Sequence, residues 1–197
     1  MAKTFGTAEN MIATSFDSKE ALTKAYSDAK TNLKELKKRR CTVLYRVDAH
    51  TMFRHPHLRP KLFDRIVFNF PHAGFTGRET EKRQIELHRK LVRGFFSSAS
   101  HMLTENGEVH ITHKTTYPFS KWEIVELAEE IGLVLVEKVP FERWHYPGYM
   151  NKRGSGPKTN RTFRVGECST FKFSHSSLFF LFKEKSCLSV FPTPPMP

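Results

Sequence analysis

The run Asn69-Phe70-Pro71-His72 brings together an amide, two flat rings, a chain-stopping proline and a group able to take a proton. An amide can hydrogen-bond a nitrogenous ring, an aromatic can stack on it, and an imidazole can remove a proton near neutral pH. A strand ended by proline, with a histidine in the following turn, is the plain structural alternative. Asp17 and Asp48 each close a mostly apolar run, NMIATSFD and CTVLYRVD. A carboxylate at a strand end beside a nucleoside site typically binds ribose hydroxyls, because it accepts two hydrogen bonds at once. Each of these acids equally suits a cap on the turn that follows it. The stretch from Tyr146 to Gly156, YPGYMNKRGSG, mixes aromatic platforms, cations and flexible backbone. Bases stack on Tyr and phosphates pair with Lys and Arg, so this mixture suits single-stranded RNA; a packed surface loop is the alternative. His50, His55 and His57 crowd one loop with no acid or Cys to complete a ligand set, which argues against a metal there. His110 and His113 are three apart on a strand and so face opposite sides.

These residues need a scaffold, and the apolar pattern supplies one. Asn10 to Asp17 reads as a buried strand, and Ser18 to Lys38 as one helix, with Ser18 as N-cap and Leu22, Ala25, Ala29, Leu33 and Leu36 on its inner face. A second strand spans Cys41 to Val47, and the two prolines between Ala49 and Pro60 indicate a loop. The third strand, Phe63 to Phe70, stops at Pro71. Glu79 to Thr104 carries Ile85, His88, Leu91, Val92, Phe95, Ala99, Met102 and Leu103 on one face, a long amphipathic helix. Asn106-Gly107 reads as a turn before a fourth strand, Glu108 to His113. A helix follows Pro118, buries Ile124, Leu127, Ala128 and Ile131, and ends at Gly132. Leu133 to Val139 is a fifth strand and Ser169 to Phe173 a sixth. Strand and helix alternate, which points to an α/β, doubly wound, mostly parallel sheet with the last strand antiparallel. The domain is expected over residues 1–173, with residues 174–197, rich in Ser and Pro, as a disordered tail.

The 197 residues suit one such domain, and a formal net charge of +12 points to a polyanionic partner, RNA or DNA first. Cys41, Cys168 and Cys187 are odd in number and far apart, so free thiols in a reducing compartment are the simplest reading. No apolar run approaches the ~20 residues of a membrane span, nor is there a signal-peptide pattern.

Asn69 and Pro71 at a strand end resemble the motif of methyltransferases that modify nitrogen atoms of bases, where the Asn receives N–H hydrogens of the target. The longer run FDRIVFNFPHAGF (residues 63–75) resembles the hallmark of the eukaryotic large-subunit rRNA (uridine-N(3)) methyltransferase-like family. GEVHITHKT (107–115) and the Tyr146 to Gly156 loop are similar to its companion motifs, in the same order. The resemblance covers about Phe5 to Phe173 and implies a class I, Rossmann-like fold using S-adenosylmethionine. It implies methyl transfer to N(3) of a uridine in ribosomal RNA or a pre-ribosome, in nucleolus, nucleus or cytoplasm. Carried over, Asp17 would hold the cofactor ribose and Asp48 would lie near the adenine. Asn69, Pro71 and His72 would line the target pocket. Lys114 and the loop residues Tyr146, Tyr149, Asn151, Lys152 and Arg153 would face RNA. The family opens on a strand and a glycine-rich turn of GEGDFSFS type, whereas MAKTFGTAENM resembles the segment after that turn. The first central strand is therefore expected to be missing, leaving two sheet edges unpaired. A non-catalytic RNA-binding or interaction protein is the competing reading. A nicotinamide oxidoreductase is a distant third, since no GxGxxG is present.

Overall fold

Residues 6–176 are described by a computed structural model, and within them the sheet is divided in two. The first part pairs β1 (Ile12–Ser15) in parallel with β2 (Thr42–Tyr45), and α1 (Lys19–Ala25) and α2 (Ala29–Lys38) connect them. The second contains β3 (Phe63–Asn69), β4 (Leu103–Lys114), β5 (Leu133–Pro140) and β6 (Cys168–His175), in the order β3-β4-β6-β5. β3 runs parallel to β4, whereas β6 is antiparallel to both β4 and β5, as the sequence predicts for the last strand. α3 (Lys82–Ser100) links β3 to β4, and α4 (Ile124–Glu129) precedes β5. The facing edges of β1 and β3 line a common cleft, and no strand lies between them among the described residues. Among the described residues, the sheet therefore has the expected gap.

The core lies around α3. Its inner face places Val92, Phe96 and Ala99 out of solvent against Val109 and Ile111 of β4 and Phe173 of β6. Phe96 meets Phe173 edge-on, with ring centroids 5.1 Å apart. Burying each such side chain stabilises the fold by roughly 1.5–3 kcal/mol, and edge-on ring pairs add to that. Trp122, Leu127 and Leu133 close the far side.

Three elements differ from expectation. The single helix from Ser18 to Lys38 is two, because the chain turns extended at Tyr26 to cap α1 and restarts after Asp28. Ser18 is the N-cap as expected, its Oγ accepting from the Ala21 amide. The long helix begins at Lys82 rather than Glu79 and ends at Ser100, because Glu79 is held by two histidines and Leu103 already belongs to β4. The Asn106-Gly107 turn is instead a bulge inside a continuous β4, where the register against β3 shifts. Gly107 fits there because an added Cβ would stand 2.7 Å from the Phe63 carbonyl oxygen. β6 runs two residues past Phe173, and beyond Ser176 the expected tail lies outside the described residues.

Candidate active site

The cleft between the sheet edges measures about 990 Å³. Ile12 and Thr14 of β1 form one wall, Ile66 and Phe68 of β3 the other, and Leu87 and Leu91 of α3 also line it. Asp17, Asp48, Asn69 and His72 all line its end at the carboxyl termini of the strands. Open parallel sheets bind ligands at that end. The structure thus brings together residues scattered over the sequence.

Asp17 is half-buried, and its carboxylate makes no hydrogen bond or ion pair among the described residues. Asp48 Oδ1 accepts from the His50 amide at 2.8 Å. The turn-capping alternative therefore holds for one of its oxygens, while the residue still lines the cleft. Asn69 ends β3 opposite Thr112, and its Oδ1 accepts the Thr112 hydroxyl at 2.8 Å. Phe70 takes a left-handed backbone, φ +49°, an uncommon state for a bulky residue and one that stores strain. This kink turns Pro71 into the interior and swings His72 back to the cleft. The Phe70 ring is wedged edge-on between Phe141 and Phe163, at 5.4 and 5.5 Å.

His72 belongs to a knot that sequence reasoning missed. Its Nε2 lies 2.7 Å from Glu79 Oε1, and its Nδ1 accepts the Gly74 amide at 3.0 Å. His88, fully buried on α3, places Nε2 3.1 Å from Glu79 Oε2 while its Nδ1 accepts the Ala73 amide. Gln84, one turn earlier on α3, accepts the Thr76 and Gly77 amides and donates to the Gly74 carbonyl. Burial works to raise the Glu79 carboxyl, but hydrogen bonds from His72 and His88 overcome it and hold the group at about 2. His72, Glu79 and His88 place three ligand-type atoms within 4.8 Å of one another. Both Nδ1 atoms accept backbone N–H groups, so the ring protons sit on Nε2, where a metal would need lone pairs. The trio is thus wired as one carboxylate between two imidazole N–H donors. The available signal was Gln84 and His88, two polar residues four apart on an otherwise apolar helix face.

The loop after β5 divides the expected RNA residues. Tyr146 is exposed but stacks one face on Phe141, at 5.0 Å and 14°. Tyr149 is half-buried edge-on to Phe141, and desolvation pushes its hydroxyl up to about 12. Asn151 does not face outward as predicted: it is 2% exposed and donates to the Phe163 carbonyl at 2.6 Å, an anchor of the loop. Lys152 reaches Asp28 at 3.7 Å, and the Arg153 guanidinium sits over the Phe75 ring at 5.0 Å. Both also line the cleft. Lys114 rests over Phe119 and Phe163, and desolvation lowers its pKa. The loop crosses to the other half, where Thr159 meets the Tyr26 hydroxyl at 3.3 Å and Asn160 donates to Ser27 at 3.1 Å. These contacts fall where the predicted single helix breaks.

A sheet divided at its middle strand, with acids and an Asn-Phe-Pro-His run at the carboxyl ends, defines a class I methyltransferase-type, Rossmann-like protein. The glycopeptide N-methyltransferase MtfA, solved with S-adenosyl-L-methionine, superimposes with a TM-score of 0.51 over 84% of this chain and 72% of that one, at 12% identity. Residues 1–153 match the family model described as rRNA (uridine-N3-)-methyltransferase BTM5-like, and the chain belongs to that BMT5-like family. Among curated proteins it is 51% identical to heavy metal-associated isoprenylated plant protein 41 of Arabidopsis thaliana, over 89% of this chain. It spans only 34% of that relative's length. It is 52% identical to uncharacterized protein At4g26485 of the same plant, covering 86% of it. A mouse ferredoxin-fold anticodon-binding domain-containing protein 1 homolog is 30% identical over 86% of this chain and 28% of its own.

Proposed function

We propose that this chain is an S-adenosylmethionine-dependent methyltransferase domain acting on N3 of uridine in large-subunit ribosomal RNA, free or within a pre-ribosome. One observation carries the reading: Asn69 and His72 open into the same cleft as Asp17 and Asp48. The cleft has room for a nucleoside cofactor, since ligand sites typically run ~300–1,000 Å³. Asp17, with a free carboxylate, would hold the ribose, and Asp48 would stand near the adenine. When bound, the cofactor supplies a methyl group on a sulfonium. Its transfer would break the methyl carbon–sulfur bond, leave a neutral thioether and form a bond to the uridine nitrogen, which must lose its own proton. His72 would take that proton on Nδ1, with Glu79 stabilising the resulting imidazolium from Nε2; the Gly74 amide would release that lone pair. Pro71 fixes the turn that aims the ring. Tyr146, Lys152, Arg153 and Lys114 would meet RNA bases and phosphates, with Tyr149 and Asn151 shaping the loop.

A tritiated-methyl assay on ribosomal RNA tests the reading. Asn69→Ala should lower turnover about a hundredfold or more, within the range for a transition-state contact, without unfolding the chain. Unchanged turnover in that variant would overturn the assignment.

A second reading has its own observation. The β1 and β3 edges lack a strand between them among the described residues, so the backbone turn that would close the cofactor cleft is not seen there. Two acids contribute ~1–3 kcal/mol each against an association cost of ~4–15 kcal/mol. On this reading the chain binds RNA and does not transfer methyl groups. Calorimetric titration with S-adenosylmethionine separates the two. Affinity no better than about millimolar favours the binding protein, and a low-micromolar constant favours the enzyme.

A further inference from the structure

Asn69, Thr112 and Thr170 are direct partners across three adjacent strands, β3, β4 and β6. The Thr112 hydroxyl donates to Asn69 Oδ1 at 2.8 Å and lies 2.9 Å from the Thr170 hydroxyl. A hydroxyl has one proton to give. Since Thr112 gives its proton to Asn69, it must receive the one from Thr170. Both threonines are buried, at 2% and 8% exposure, so water does not compete for this relay. Its direction fixes the amide: Oδ1 is held back against β4, and Nδ2, with two protons, is left for the cleft that Asn69 lines.

We propose that Thr112, backed by Thr170, is the specificity-determining residue of this site, because it turns Asn69 into a hydrogen-bond donor toward the base. The proposal rests on the reading that the cleft receives a base from RNA. A donor pair complements a ring carbonyl and opposes an exocyclic amine, which would meet it proton to proton. Uracil carries a carbonyl on each side of N3, whereas cytosine carries an amine on one side. An Asn serving an amine target needs the opposite presentation, oxygen forward. A mismatched donor left unpaired in a half-buried site should cost the wrong base about tenfold or more in binding. Thr112 touches neither base nor cofactor; it is a positioning residue that acts through Asn69.

The test uses the full 197-residue chain with two single-stranded RNA octamers, oligouridine and oligocytidine. Binding is read by fluorescence anisotropy and by the Asn69 side-chain amide signals in nitrogen-15 NMR, assigned by their loss in Asn69→Asp. The wild type should prefer oligouridine about tenfold, with the Asn69 Nδ2 protons shifting only for that RNA. Thr112→Val, close in shape but without the hydroxyl, frees the amide to turn and should shrink the preference to within about twofold. Thr112→Ser should restore it, an outcome that a packing role alone would not give. If Thr112→Val does not fold, Thr170→Val removes the donor behind Thr112 and should lose about threefold of the preference. A Thr112→Val protein that keeps the wild-type preference overturns the proposal. Equal binding of both RNAs by the wild type overturns the proposal alone. Binding of neither overturns the underlying reading of the cleft as well.

Discussion

The two halves of the molecule are held by unlike means. Between β3 and β6, Val92, Phe96, Ala99, Val109, Ile111, Leu127, Leu133 and Phe173 are all fully buried. Between residues 6 and 47, the buried hydrophobics are Ala8, Ala29, Cys41 and Val47, and α1 buries none. The first half joins that core through Val47, with Ile12 and Leu44 packed against it, and leans further on the loop after β5, through Lys152 to Asp28, Thr159 to Tyr26 and Asn160 to Ser27. Asn69 and His72 thus stand on the heavily buried half and Asp17 on the sparsely buried one, with Asp48 at the border, where Met52 and Leu58 rejoin the core. The spacing of Asp17 from Asn69 and His72 across the cleft depends in part on a polar strap, and polar, exposed contacts open at low cost.

Phe96→Ala should break the heavily buried half, costing about 3–5 kcal/mol because it leaves a cavity under β6. Leu33→Ala on half-exposed α2 should cost about 1 kcal/mol or less, as for partly exposed apolar sites. Urea unfolding of both variants checks the pair, and equal losses would erase the contrast.

Acid should also act on the heavily buried half, through His113. Desolvation pulls this imidazole down to about 4, although its hydrogen bond to the Phe119 carbonyl pulls the other way. The unfolded chain therefore binds the proton first, and stability is fully present above about pH 6.5 and falls as pH drops toward 4. The loss should be on the order of 3 kcal/mol, and His113→Gln should flatten it, as read by unfolding midpoints across that range. Glu79 acts further down. Its carboxylate is held at about 2, so its contribution is present above the usual carboxylate range near 4.5 and lost as pH falls through 2. Glu79→Gln should cost about 1–3 kcal/mol at pH 7, since it removes the acceptor of two imidazole protons.

The smallest effect should come from the strap. Lys152→Ala with Arg153→Ala should leave urea stability within about 0.5 kcal/mol. It should lower the slope of log affinity against log salt for single-stranded RNA by about one per lost phosphate contact. A parent slope in the double variant would make the strap purely structural.

The sequence was most legible where one rule governed the residues. Apolar alternation and proline placed all six strands, and the family-like run located the cleft at Asn69 and His72. Local pattern was silent where distant contacts decided. Ser27-Asp28 after Tyr26 is a faint cap-type signal, and the contacts that accompany the break, with Thr159 and Asn160, lie far along the chain. Asn106-Gly107 has the composition of a turn, yet pairing with β3 keeps it in a strand. Glu79 reads as helix surface until His72 and His88 converge on it. Asn151 shares a loop with two cations and differs from them only in the carbonyl it must satisfy.

The position of β6 also governs how the chain can be made. It is the last described strand, yet it lies between β4 and β5, whose facing edges have no other partner in the sheet. During synthesis at ~5–20 residues per second, those edges emerge first and wait several seconds for Cys168–His175. Until it arrives, Ile111 and Leu133 lack the Phe173 wall, and the nascent domain displays two strand edges at once. A released chain cut short just before residue 168 should therefore be recognised by chaperones and cut by proteases, and the full 197-residue chain should not.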